Sequence, residues 1–186
     1  MKIKNLDNSE IINDKEINLK FLSINNDHLK IDCKILKSNF FMDSYNYFPI
    51  TEEYYSFKDL FGWVNESSRY DNFYTKEFYK VFNKKKDNFK IFSNTFILGS
   101  SPSDNYFRNI LFFLPRIFFI NDKEINIAIH RNSSHDFRLL ISEILNFMKI
   151  KLKKIVYLDD DFYKFNDSQI PQFFNKATSI KILREN

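Results

Sequence analysis

The amino-acid sequence predicts an α/β protein in which a β-rich N-terminal region, residues 1–90, precedes an α/β unit, residues 91–186. Three observations carry that expectation. Residues 16–36 alternate apolar and polar side chains, the period of a half-buried strand. Residues 95–158 repeat a short apolar run, a polar loop and a helix-spaced apolar stripe, which is the order β-α-β-α-β. The right-handed crossover rule then makes the three strands of that unit parallel, with helices over the sheet.

In chain order, residues 16–24 place Ile17, Leu19 and Phe21 on one face, and residues 28–36 do the same with Leu29, Ile31, Cys33 and Ile35. Asn25, Asn26 and Asp27 between them tolerate a left-handed backbone, so an antiparallel hairpin is expected. Residues 39–64 are rich in Phe and Tyr and broken by Pro49 and Gly62, and read as irregular chain with one or two short strands. From 70 to 82 the apolar positions Tyr70, Phe73, Tyr74, Phe78, Val81 and Phe82 recur at threes and fours, a helix packed by one face. The lysines 84–86 are expected in the loop that leaves it.

Residues 89–99 read as one extended segment or two, with Gly99 freeing the backbone for a turn and Ser103 or Asp104 capping the next helix. In that helix Tyr106, Ile110, Phe113, Leu114 and Ile117 form the apolar face, and Pro115 should kink or end it near Leu114. Residues 125–130 are the second strand. Phe137, Leu140, Ile141, Ile144, Leu145 and Met148 stripe the second helix, with Ser133 and Asp136 spaced as a capping box. Lys149, Lys151, Lys153 and Lys154 are expected to complement that helix's C-terminal dipole. Residues 154–158 form the third strand, Asp159, Asp160 and Asp161 its polar exit, 162–165 a further short strand, 170–174 a turn, and 177–184 a helix.

Composition removes several function classes. A hydrophobic fraction of 44% with 28% charged residues is that of a folded soluble chain rather than a disordered one. The net charge of +4 is spread in short pieces, so no nucleic-acid partner is indicated. The many Phe, Asn, Lys and Ile match an AT-biased coding sequence, and Phe serves mainly as core filler. Cys33 is the single cysteine and excludes an intrachain disulfide, which points to a reducing cytoplasm. The first twelve residues lack the apolar core of a secretory signal. Arg108, Pro115 and Arg116 break the most hydrophobic window, so no transmembrane segment is expected and any membrane association is peripheral.

The carboxyl ends of parallel strands are where ligands bind, and three loops should share that edge here: 99–105, 130–135 and 159–161. Two of them open helices, whose N–H groups favour an anion. Ser101, Asp104, Asn105 and Arg108 from the first, and Arg131, Asn132 and Ser133 from the second, are the candidate binding residues. No Gly-rich dinucleotide or triphosphate loop is present. The aspartate run has the form of a metal-binding DxD, yet reads better as an acidic strand-terminal turn, and His130 and His135 match no zinc spacing. No metal and no cofactor is expected, and no catalytic residue is assigned.

Residues 105–116, Asn-Tyr-Phe-Arg-Asn-Ile-Leu-Phe-Phe-Leu-Pro-Arg, resemble the signature helix of glycosyltransferase family 61, usually Asn-Tyr-Tyr/Phe-His-Trp-Leu-x-Asp/Glu-x-Leu-Pro-Arg. The resemblance extends from about Phe96 through the β-α-β of 125–158 and the 170–174 segment. It implies a GT-B architecture of two Rossmann-like domains, with a nucleotide-sugar donor held by the C-terminal one and a glycan acceptor met by the N-terminal one, generally without a bound metal. On that reading the chain is an acceptor-side portion, and the donor-binding domain would lie beyond Asn186. Asn105, Tyr106, Leu114, Pro115 and Arg116 keep the framework of the motif. Arg108, Asn109 and Phe112 replace its His, Trp and acidic residue, so the proton handler for an attacking sugar hydroxyl is lost. The resemblance therefore implies a glycosyltransferase-like protein of polysaccharide biosynthesis, inactive alone; the alternative is a non-catalytic sugar- or anion-binding scaffold domain.

Overall fold

A computed structural model describes residues 2–4, 20–26, 31–44, 48–52, 55–57, 82–99, 107, 109–174 and 176–185. The protein is mixed α/β with a mostly parallel, partly antiparallel sheet. The strands are β1 (Lys2–Lys4), β2 (Lys20–Asn26), β3 (Ile31–Asp43), β4 (Phe48–Thr51), β5 (Tyr55–Phe57), β6 (Lys90–Ser93), β7 (Thr95–Ile97), β8 (Glu124–His130), β9 (Lys151–Leu158) and β10 (Phe162–Pro171). Among the described residues the two longer helices are α1 (His135–Phe147) and α2 (Lys176–Glu185).

Among the described residues eight strands form one sheet in the order β2-β3-β10-β7-β8-β9, with β4 added to β3 and β6 to β10. β10, β7, β8 and β9 run parallel, and β3 pairs antiparallel with β2, β4 and β10. Strands from residues 1–90 and 91–186 thus share a single sheet. β1 and β5 pair separately, in parallel.

The antiparallel hairpin forms, but Asn25 and Asn26, expected in its turn, pair with Asp32 and Ile31 in the ladder, and Lys20 lies opposite Lys37; residues 16–19 and 27–30 of the expected hairpin lie outside the described residues. β3 then continues to Asp43 into the stretch expected to be irregular. It can do so because both its faces are buried. Cys33 and Ile35 point to the helices, while Leu36, Phe40 and Met42 point to the other side. β8 divides its apolar residues in the same way: Ile125, Ile127 and Ile129 meet Phe137, Ile141 and Leu145 of α1, and Ala128 faces the opposite cluster.

The sheet coils back over its own face. Leu158 and Tyr163 are separated by four residues, yet they lie on strands whose registers would put them at opposite ends of a flat sheet. A bend resolves this. Asn94, between β6 and β7, has φ 51°, and Asp167, at the register shift between Phe165 and Ser168 of β10, has φ 44°. Beyond the bend, Phe40, Met42, Tyr163 and Phe165 lie over Ile97, Ala128, Val156 and Leu158. One face of the parallel strands is therefore covered by helices and the other by sheet.

Several local expectations change. Ile170 and Pro171 belong to β10 rather than to a turn, and β10 is ten residues long where a short 162–165 strand was expected. Residues 82–85 are helical and Lys86–Asn88 a 3-10 turn, so the lysine run is not loop. The rest of the 70–82 helix lies outside the described residues. Pro115 acts as expected: a π-helical turn, Asn109–Phe113, gives way at Leu114 to a 3-10 segment, Leu114–Phe119. α1 is capped by Ser134, whose hydroxyl accepts from Phe137 N–H at 3.2 Å, one residue later than the Ser133 box. Lys151, Lys153 and Lys154 lie on β9, not at the helix terminus. Gly99 does not adopt a positive φ. It is needed for space, since a Cβ there would meet Phe113 Cδ2 at 2.9 Å. Among the described residues no helix is long and apolar enough to cross a membrane.

Candidate functional site

Because β7, β8 and β9 are adjacent and parallel, their carboxyl ends meet at one edge. The loops that follow β8 and β9 are fully described there, and their charged side chains pair with one another. Arg131 grips Asp159 with both limbs of its fork, Nε to Oδ1 at 2.5 Å and Nη2 to Oδ2 at 3.1 Å. His130 Nε2 lies 2.9 Å from Asp160 Oδ1, and Lys85 Nζ lies 2.6 Å from Asp161 Oδ1. Each aspartate of the run thus has its own basic partner.

The partners come from three elements: the end of β8, the turn after it, and the helical segment before β6. His130 is buried, and its Nδ1 accepts from the Asn132 N–H at 3.2 Å. The Nε2 proton therefore points to Asp160, which fixes the tautomer. Arg131 depresses the Asp159 carboxyl below the ordinary carboxylate range by hydrogen bonding, and its own pKa is raised by the same bond. Burial pushes the Asp161 carboxyl up, but hydrogen bonds from Lys85 and the Phe162 N–H prevail and its pKa is lowered.

The acidic turn is also tied to the folded-back half of the sheet. Tyr163 Oη accepts from Asp159 N–H at 2.8 Å, Ser44 Oγ donates to Asp159 O at 2.7 Å, and Ser44 N–H donates to Asp161 O at 3.0 Å. The turn after β8 is held by Arg138, which donates to the Ser133 and Arg131 carbonyls and lies over the Tyr157 ring, 5.1 Å from its centroid. Such geometry gives an ordered edge. Among the described residues Arg131 and Lys85 occupy Asp159 and Asp161, while Asp160, half exposed, meets the His130 ring rather than a fixed cation.

Of the seven candidate residues, Ser101, Asp104, Asn105 and Arg108 lie outside the described residues. Arg131 and Asn132 are at the edge and exposed, whereas Ser133 is buried and contributes backbone to the turn. Among the described residues no group of three or more His, Cys, Asp or Glu is arranged to hold a metal.

Arg116, marked in the sequence only as framework of the 105–116 motif, has contacts that the sequence did not indicate. It is fully buried beneath the same edge and donates from Nη1 to Leu98 O at 2.8 Å and from Nη2 to Pro171 O at 2.7 Å, with its guanidinium 4.3 Å from the Phe173 centroid. Those carbonyls end β7 and β10, so one side chain ties the ends of two adjacent strands. A lone arginine inside an apolar run was the available signal, since a charge there must be buried with partners. Asn109 is likewise fully buried, and Phe112 packs against the helix-side core.

No protein-family model, no curated protein and no solved structure matches the chain.

Proposed function

We propose that this chain is a glycosyltransferase-like domain of the acceptor side, resembling the N-terminal, Rossmann-like half of a family 61 GT-B enzyme, and that it does not transfer sugar by itself. The observation that carries the reading is the placement of residues 109–116. Leu114, Pro115 and Arg116, which the resemblance marks as framework, are buried, and Arg116 binds the ends of β7 and β10. Asn109 and Phe112, which stand where the family has working side chains, are turned into the protein. Frame is kept and chemistry is not.

A nucleotide sugar and a glycan acceptor are the substrates of a completed enzyme on this reading. The test is release of nucleoside diphosphate from UDP-, GDP- and CMP-sugars by the purified protein with and without acceptor oligosaccharides. Release at the blank rate is expected; turnover with any donor sinks the proposal.

A second reading is a non-catalytic domain that holds a sugar or an anion at the strand-carboxyl edge. The exposed Arg131–Asp159 pair beside the start of α1, whose carboxylate and guanidinium could both meet sugar hydroxyls, favours it. Titration with nucleoside diphosphates and oligosaccharides should raise the melting temperature if it holds, and an unchanged midpoint with both removes it.

A further inference from the structure

β8 ends at His130, and residues 130–133 then form a β-turn closed by the Ser133 N–H, which donates to His130 O at 3.0 Å. Positive φ among the described non-glycine residues is confined to Asn94, Lys149 and Asp167. Both central residues of the turn, Arg131 and Asn132, therefore have negative φ, as a type I turn requires. The peptide between them is held at both ends. Its carbonyl, Arg131 O, accepts from Arg138 Nη2 at 3.2 Å, and its N–H, that of Asn132, donates to His130 Nδ1 at 3.2 Å. The first residue of the turn thus uses its ring as an acceptor, in the way that aspartate or asparagine does in an Asx turn.

A carboxylate or amide oxygen accepts at every pH, but an imidazole nitrogen does not. When the ring takes a second proton, Nδ1 becomes a donor and faces the Asn132 N–H, donor against donor. Nε2 keeps its place 2.9 Å from Asp160 Oδ1, where the carboxylate favours the charged ring. The peptide can answer by turning over. Type I and type II turns share the bond from the fourth N–H to the first carbonyl and differ in the sense of the central peptide. A flip therefore keeps Ser133 N–H on His130 O and brings Arg131 O toward Nδ1 in place of the Asn132 N–H. Arg138 gives up one carbonyl and retains Ser133 O, through Nε at 2.9 Å and Nη2 at 2.6 Å. A type II turn needs positive φ at its third residue, and asparagine, which stands there as Asn132, takes that conformation more readily than any residue but glycine.

The charged groups around the ring among the described residues come from four elements. The turn after β9 supplies Asp160 and Asp159, the latter gripped by Arg131. Arg138 of α1 lies against the turn, with His135 and Asp136 exposed in the first turn of that helix. Lys85 and Lys90 act on Asp161 from the segment before β6 and from β6 itself. The Asp159 and Asp161 carboxyls lie below the ordinary carboxylate range and keep their charge at mildly acidic pH, whereas imidazole is the side chain that changes charge between pH 5 and 8.

We propose that the peptide between Arg131 and Asn132 is a pH-driven switch. With His130 neutral the turn is type I and the ring holds the Asn132 N–H; with His130 protonated the peptide flips to type II and Arg131 O accepts from the ring. Arg131 and Asn132, whose torsions change, are the exposed side chains of the strand-carboxyl edge, so the flip alters the face that this edge presents. The switch rests on the turn alone and stands whether or not the edge holds a sugar.

The experiment is NMR of the isotope-labelled full chain between pH 8 and pH 5.5. In a type I turn a ψ of about −30° at Arg131 keeps its Hα far from the Asn132 amide proton, and a type II ψ of about +120° brings the two together. The NOE between them should be weak at pH 8 and strong at pH 5.5, changing in step with the His130 ring resonances. Asn132→Gly should raise the flipped fraction at a given pH about threefold, and Asn132→Val should lower it about tenfold; Asn132 is exposed, so neither variant disturbs the core. Asp160→Asn removes the charge that favours the protonated ring and should move the change to lower pH. An NOE that does not respond to pH, or that responds equally in Asn132→Val, overturns the proposal. So does a response that survives in His130→Asn, whose Oδ1 can hold the Asn132 N–H at every pH, since another group would then drive it.

Discussion

Replacing Gly99 with Ala separates two explanations of that glycine. If its role were backbone freedom, the cost of Gly99→Ala would not depend on its neighbours. The structure gives it a different role, because a Cβ would lie 2.9 Å from Phe113 Cδ2, 3.1 Å from Cγ and 3.3 Å from Cε2. Carbon atoms in contact prefer about 3.5–4.0 Å, so the ring must move by roughly half an ångström. It has little room, being buried and set edge-on to Phe173 with centroids 5.9 Å apart. Overpacking of this kind costs about 1–3 kcal/mol. The reduced entropy of the unfolded chain returns about 0.4–1 kcal/mol, so a net loss of roughly 1.5 kcal/mol is expected. Phe113→Leu removes the opposing ring atoms and should cost ~1 kcal/mol alone. In the double variant the clash is gone, and the two losses should fall short of additivity by ~1 kcal/mol or more. Urea denaturation followed by far-UV circular dichroism of the four proteins measures this coupling. Additivity within about 0.5 kcal/mol would refute the steric account.

Arg116→Met leaves the Leu98 and Pro171 carbonyls without their donors, at about 1–3 kcal/mol each, partly offset by removing a buried charge, so a loss of about 3 kcal/mol is expected. Arg116→Lys, which can serve one carbonyl, should fall between, and a urea midpoint for both variants equal to that of the parent contradicts the tie. Burial pushes the Cys33 thiol up to about 12, so the folded state keeps a proton that the unfolded thiol gives up near pH 9. That contribution to stability is complete below pH ~9 and falls as pH rises toward 12, by up to ~1.4 kcal/mol per unit. Denaturation of the parent and of Cys33→Ala at pH 8 and pH 10 should show the difference between them shrink at the higher pH; a constant difference rejects it.

Elements with one dominant period were legible in the sequence. The β2–β3 hairpin was legible from its alternation, although Asn25 and Asn26 belong to β2 rather than to the turn, and α1 carries an unbroken stripe from Phe137 to Leu145. β10 was legible only in its first four residues, 162–165. Its alternation breaks at Asn166, Asp167 and Ser168, and it ends in Pro171, a residue that usually argues against a central strand. Those polar residues make the bend: Ser168 Oγ accepts from Thr95 N–H at 3.1 Å and donates to Asn166 O at 2.8 Å, and Asp167 N–H donates to Asn39 Oδ1 at 2.9 Å. A local pattern cannot reveal a partner 73 or 128 residues away. At the candidate edge the sequence showed which loops converge, because parallel strands dictate it. It did not show that Arg131, His130 and Lys85 would each take one aspartate, since that depends on β10 folding back over β9.

The position of β10 also bears on how the chain acquires its structure during synthesis. It is made after every other described strand, yet it is the one that joins the hairpin side, through β3, to the helix-covered side, through β7. Until residues 162–171 leave the ribosome, β3 and β7 each present an open hydrogen-bonding edge, and the apolar faces of Phe40, Met42 and Val156 have no cover. Closure of the sheet is then a late event between segments distant in sequence, which makes it slow and leaves a nascent chain that is prone to association unless a chaperone shields it.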